Sequence, residues 1–194
     1  ILHLPKERKL AVFDANAAKV VKYLPVAEED VKFAANKDTL IVLAPAANVV
    51  QRWSLATLEK EATLPSPFSV PVKSLTMGSE SAGPLVAVTK SAQNLPPGIL
   101  LLDPKTLRKA DLTLDGGRGG ANAWHPSYPP EVRVSGNGDV LTAWVLGLSP
   151  SGVYVWARQG KAYKGFHAHD SWGALLPSAD GRTLEITFEK LQPV

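Results

Sequence analysis

The chain has 194 residues, 45% hydrophobic and 20% charged, with a formal net charge of +3; this is globular composition, which excludes disorder and suffices for one domain or two. Lys and Arg are scattered, and the densest run, Lys6-Glu7-Arg8-Lys9, is terminal and interrupted by an acid, so nucleic-acid binding is disfavoured. Cysteine is absent, which excludes disulfides, thiolate zinc sites and cysteine nucleophiles, and no apolar run approaches the ~20 residues needed to span a bilayer.

The chain begins at Ile1 with no signal peptide before it, and the expectation is a fragment, a processed product or the ordered part of something longer. Lack of cysteine fits reducing and oxidising compartments alike; the cytoplasm is the favoured location.

In chain order the predicted elements are short and apolar, divided by Gly, Pro, Asn, Asp and Ser. "KLAVFD" opens a strand pair over 8–26. Two stretches after it have helical spacing: "AEEDVKFAANKDTL", with Val31, Ala34 and Ala35, and "SLATLEKEATL", with Leu55 and Leu58. "TLIVLAP", "NVVQRWS", "PLVAVT", "GILLLD", "DVLTAWV" and "GVYVWAR" have strand length and strand composition, with turn residues on both sides.

A repeat decides between these readings. "LAVFDANAAKVVKYL", "NVVQRWSLATLEKEATL", "GILLLDPKTLRKADLTL" and "GVYVWARQGKAYKGF" align as strand, turn and second strand, their turns opening near Asp14, Ser54, Asp103 and Ala157 at separations of 40, 49 and 54 residues. The last three follow another strand pair, "DVKFAANKDTLIVLA", "VKSLTMGSESAGPLVAVT" and "EVRVSGNGDVLTAWV", and "SWGALLPSADGRTLEITF" supplies a further copy. Four antiparallel strands every ~40–50 residues predict an all-β chain, a β-propeller of four-stranded blades in which neighbours bury one another's faces. The expected division of residues 1–194 is a half blade at 8–26, blades at 30–66, 70–115 and 128–168, and a half blade at 171–190. That is about four blade equivalents, expected to belong to a larger propeller.

The chain resembles degenerate WD40-type and quinoprotein-like propeller repeats. "VVQRWSLATLEKEATL" is similar to the closing and outer strands of a WD40 repeat, with Ser54 where aspartate is usual; Trp156-Ala157 stands at the same place in "GVYVWARQGKAY". In "HDSWGALLPSADGRTLEI", Ala168-His169 replaces the usual Gly-His and leads to a Ser-x-Asp-Gly turn. The resemblance implies a structural histidine at His169, hydrogen-bonded toward Asp180, and Trp53 and Trp156 packed between blades. Such repeats also occur in large bacterial multidomain proteins, which implies an interaction module.

Four features bear on chemistry. His167 and His169 fall two apart on a strand with Asp170 beside them, so they could hold a cation; the structural role of His169 is the stronger reading. "DGGRGG", from Asp115 to Gly120, lacks both a following helix and a phosphate-loop lysine. The same long loop carries Trp124, His125 and Tyr128, candidate anchors for a protein partner. No Gly-x-Ser-x-Gly or paired-carboxylate arrangement marks a catalytic site. The expected function is therefore a non-catalytic scaffold that binds a protein partner or another domain of its own chain through rim loops, with no cofactor and no membrane. The alternative is a propeller enzyme or small-ligand binder with a site near the central axis, where Lys32, Lys73 and Arg133 form a basic set suited to an anion.

Overall fold

The computed structural model describes residues 1–92, 98–115, 130–145, 152–168 and 173–188. Its strands run β1 (Leu2–Leu4), β2 (Lys9–Asp14), β3 (Lys19–Pro25), β4 (Lys32–Ala35), β5 (Thr39–Ala44), β6 (Val49–Ser54), β7 (Lys60–Pro65), β8 (Val72–Thr76) and β9 (Leu85–Thr89). They continue with β10 (Ile99–Leu102), β11 (Thr113–Leu114), β12 (Glu131–Val134), β13 (Val140–Val145), β14 (Gly152–Gln159), β15 (Ala162–Ala168), β16 (Gly173–Pro177) and β17 (Leu184–Phe188). The chain is all-β, as expected, and both stretches with helical spacing form strands and turns. A helix over 27–40 would point Leu40 and its neighbours to one side, whereas this sequence has apolar partners waiting on two.

The strands form five sheets in chain order: β1-β2-β3, β4-β5-β6-β7, β8-β9-β10, β12-β13-β14-β15 extended by β11, and β16-β17. Every pairing is antiparallel except β11 on β15. These are the blades of a β-propeller. The first sheet has one strand beyond the sequence expectation: β1 pairs Leu2 with Ala11 and Leu4 with Lys9. Three residues before a proline carry too little periodicity to reveal themselves as a strand.

Adjacent sheets are held by alternation along their central strands. Leu40, Val42 and Ala44 of β5 pack with Leu10 and Leu24 of the first sheet. Ile41 and Leu43, between them, pack with Leu75, Leu85 and Ala87 of the third. β9 repeats the device: Leu85 and Ala87 face the second sheet, while Val86 and Val88 meet Val132, Leu141 and Ala143 of the fourth. A strand with both faces buried reads as a continuous apolar run, and each fully buried Leu, Ile or Val contributes about 1.5–3 kcal/mol. Strands β3 and β7, at the outer edges, instead mix exposed positions with partly buried ones, and only Leu24 of β3 is fully buried.

Candidate functional site

Two kinds of turn, at the same end of the sheets, build the surface that this fold presents most rigidly. The first joins the third and fourth strand positions of a sheet. The Asp14 carboxylate accepts the N–H of Asn16 and of Ala17 (2.9 and 3.1 Å). Ser54 Oγ accepts the N–H of Thr57 (3.2 Å), and Asp103 accepts those of Lys105 and Thr106 (2.9 and 2.7 Å). Each turn ends on a residue of positive φ four positions on, Ala18, Leu58 or Leu107. These bonds, led by the one from Thr106, hold the Asp103 carboxyl below its ordinary value. The fourth copy begins at Ala157, which has no side-chain oxygen. There β14 and β15 run on to pair Gln159 with Ala162, closing at Gly160 with φ +62°.

The second kind joins the first and second strands. In Ser135-Gly136-Asn137-Gly138, Ser135 Oγ accepts the Val140 N–H (2.9 Å) and Asn137 Oδ1 that of Asp139 (3.0 Å). Ser178-Ala179-Asp180-Gly181 has the same bonds, from Thr183 to Ser178 Oγ (3.1 Å) and from Arg182 to Asp180 (3.0 Å). Glycine fills the positive-φ position of each, Gly138 at +81° and Gly181 at +70°. Ser178 Oγ also donates to Asp180 (2.6 Å), and this bond is the chief cause of that carboxyl's lowered pKa.

These inner turns are strapped to one another across sheets. Asn36 Nδ2 donates to the Ser81 carbonyl (2.8 Å), and the Glu80 N–H to the Gly136 carbonyl (2.8 Å). The Asn137 N–H donates to Ala179 (2.8 Å) and its Nδ2 to Asp180 (2.7 Å). Four successive turns thus form a continuous polar belt. Beneath it lies Tyr163, fully buried, whose hydroxyl donates to the Gly138 carbonyl; burial pushes its pKa up to about 12. Sequence reasoning missed Tyr163. Its position opposite Arg158 in the β14–β15 hairpin was the available signal.

Outside the belt, between the third and fourth sheets, opens a groove of about 730 Å³ whose lining includes Glu80, Asp103, Arg108, Asn137, Arg158 and Lys161. Arg158 Nε donates to the Gly160 carbonyl (3.1 Å), and Lys161 pairs with Asp111. Among the described residues Arg108 and Lys109 have no carboxylate partner. The groove is polar, open and of mixed charge. It suits a complementary polar surface.

The sequence candidates fall as follows. Trp53 is buried between the first two sheets, its indole N–H donating to Gln51 Oε1 (3.2 Å). Trp156 is buried between the third and fourth, stacked on Tyr154 (centroids 5.7 Å apart), its N–H donating to the Asp115 carbonyl (2.9 Å). Asp180 is exposed at its turn, engaged by Ser178 and Arg182. His167 lies on β15 opposite Tyr154. His169, Asp170, Trp124, His125 and Tyr128 lie outside the described residues.

The inner-strand cations differ from the expectation of a basic set. Glu131 is 2.7 Å from Lys73 and 3.8 Å from Arg133, and Lys32 pairs with Asp30. Two carboxylates thus stand among the three cations, Asp30 beside Lys32 and Glu131 shared by Lys73 and Arg133.

The fold has clear parallels among solved structures. The chain is similar to a complex of KlAtg21 with the coiled coil of AgAtg16 (TM-score 0.61, 10% identity, 94% of this chain and 57% of that one). It is also similar to the β-propeller domain of Myceliophteria thermophila Cps50 (Swd1) (0.57, 12%, 93% and 56%). A third parallel is the Neurospora crassa Pan2 WD40 domain (0.54, 12%, 88% and 50%). The chain thus shares the β-propeller fold of these structures, and it spans about half their length. No protein-family model and no curated protein sequence matches it. Among the described residues no helix is long and apolar enough to cross a membrane.

Proposed function

We propose that this chain is a non-catalytic propeller scaffold that binds a protein partner, or another domain of a longer chain, through its rim. The observation that carries this reading is the open mixed-charge groove beside a belt of mutually bonded turns. A surface fixed in advance loses little conformational entropy on association, and side chains of both signs select a complementary partner more than they add raw affinity. The solved complex of KlAtg21 with a coiled coil is a propeller of this fold bound to a protein segment, which supports the class of function without naming this chain's partner. Trp124, His125 and Tyr128 are proposed as additional anchors on the loop after Asp115.

The test is affinity capture from the source organism with quantitative mass spectrometry, using the wild-type chain, an Arg158→Glu/Lys161→Glu variant and a chain lacking residues 116–129. The expected result is a partner retained by the wild-type chain and lost from the charge-reversed groove, the loop deletion losing the same partner or another. Identical capture profiles for all three chains would refute the rim as the binding surface.

A further inference from the structure

We infer that the outer edge of β10 is a docking site for an extended peptide segment, apolar at its centre and acidic at one end, which adds to the third sheet as its outermost strand. The inference rests on the reading of the chain as a partner-binding propeller but concerns a second surface.

The second and fourth sheets carry a fourth antiparallel strand, whereas among the described residues the third ends at β10. The segment that would supply the missing strand starts correctly. The Asp103 N–H donates to the Arg108 carbonyl, and the Ala110 N–H to the Leu101 carbonyl (both 2.9 Å). It then departs, and Thr113 and Asp115 donate to the Lys161 and Tyr163 carbonyls of β15 (both 2.9 Å). The chain changes sheets between Ala110 and Thr113.

The departure leaves a wedge with unused backbone groups on both walls. The Thr89 N–H donates to the Gly98 carbonyl (2.9 Å), so Gly98, Leu100 and Leu102 turn their peptide groups toward β9, and Ile99 and Leu101 turn theirs outward. Among the described residues the N–H and C=O of Ile99 and the N–H of Leu101 have no partner. On the opposite wall β11 uses alternate peptide groups on β15, which leaves those of Leu112 and Leu114 facing away from it. Unpaired strand groups of this kind are the template for strand addition.

The wedge has the size and chemistry of one short strand. Its volume is about 660 Å³, with Leu100, Leu107, Leu112 and Leu114 along it and Pro67 at its margin. Leu100 is 42% exposed, in contrast to Ile99, Leu101 and Leu102 beside it, which are buried. At about 3.3 Å per residue, the Ile99–Leu101 edge pairs with three or four residues of an incoming strand. Arg108 and Lys109, neither with a carboxylate partner among the described residues, stand where the returning segment is still bonded to β10. They favour a carboxylate there over a second cationic or neutral segment.

The test uses an acetylated, amidated Glu-Thr-Val-Thr-Val-Thr-Glu peptide titrated into the full chain, followed by amide hydrogen exchange and fluorescence anisotropy. The expected result is saturable binding with the Ile99 and Leu101 amides at least 10-fold slower to exchange. The same peptide N-methylated at alternate residues in one register should bind at least 10-fold more weakly, and in the other register unchanged. Leu100→Glu should abolish binding, and Arg108→Glu/Lys109→Glu should weaken it about 10-fold, both with unaltered circular dichroism. Arg158→Glu/Lys161→Glu should leave it intact, which separates this site from the rim groove. Slow exchange of Ile99 and Leu101 in the free chain would overturn the inference. Protection independent of concentration would show that the chain covers its own edge, and protection rising with concentration that a second copy does. Binding indifferent to N-methylation in either register, or no binding, would also overturn it.

Discussion

The second and third sheets are built from the same kind of strand and end differently. In the second, β7 returns along β6 from Pro65 against Val49 to Lys60 against Trp53. In the third, the corresponding segment holds β10 through Arg108 and Ala110 and then crosses to β15. The turns that launch the two are alike: Ser54 and Asp103 each cap backbone N–H groups, and Leu58 and Leu107 each take positive φ at +57°. The divergence therefore comes from what lies beyond the turn. After Ala110 the chain meets the Trp156 indole, which takes the Asp115 carbonyl. Local turn chemistry sets where a strand starts, and a distant side chain sets which sheet it joins.

The largest expected effect breaks that comparison at the indole. Trp156→Ala should destabilise the chain by about 3–5 kcal/mol in urea titration and release the amides of Thr113 and Asp115 to exchange. Trp53→Ala, whose indole N–H donates to the Gln51 side chain rather than to a backbone carbonyl, should cost about 3–5 kcal/mol without freeing β7. Equal exchange changes in β7 and β11 would mean that the indole does not direct the crossing.

Tyr163→Phe strands the Gly138 carbonyl beneath the belt and should cost about 1–3 kcal/mol. It also carries a pH signature. The folded-state pKa is raised to about 12, so the contribution is fully present below pH ~10, the unfolded tyrosine value, and is lost as pH rises toward the folded value. The wild-type chain should lose roughly 2–3 kcal/mol more than Tyr163→Phe across that alkaline window, measured by denaturant midpoints at each pH.

Two glycines sharpen the contrast between strapped and unstrapped turns. At Gly138 an added Cβ would meet the Ser81 side chain and, at 3.1 Å, the Gly83 carbonyl; at Gly160 it would meet nothing within 4 Å. Both have positive φ. Gly138→Ala should cost about 2–3 kcal/mol and Gly160→Ala about 1 kcal/mol, read as differences in thermal midpoint.

The smallest effect concerns the launching turn itself. The Asp103 pKa is lowered by its bonds to Thr106 and Lys105, so its stabilisation is present above the ordinary carboxylate range and is lost as pH falls through the folded value. Asp103→Ala should lower stability by about 0.5 kcal/mol at neutral pH and flatten the acid limb of the stability profile.

Much of this architecture was legible because turn chemistry is local. Aspartate or serine at 14, 54 and 103 marks the turns by capping N–H groups two or three residues on, and the two Ser-x-Asx-Gly turns are visible as a duplicated string. Register shifts fall at the same place twice, between Val12 and Phe13 and between Arg52 and Trp53. β1 escaped notice because three residues carry no period. The path of β11 escaped because "DLTL" reads equally well as an outer strand of either sheet. The groove was illegible for a further reason: Glu80, Arg108, Asn137 and Arg158 are far apart in sequence and meet only once two sheets have packed. The pairing of Lys73 with Glu131 was hidden by the same non-locality.

The crossing of β11 also bears on how the molecule comes apart. In a repeat array each unit touches only its neighbours, so opening can begin at any joint. Leu101 and Ala110 tie the crossing segment to the third sheet, and Thr113 and Asp115 tie it to the fourth. Separating those two sheets therefore requires breaking main-chain bonds as well as unpacking side chains. The joint between the second and third sheets, which among the described residues has no crossing strand, is expected to part before it.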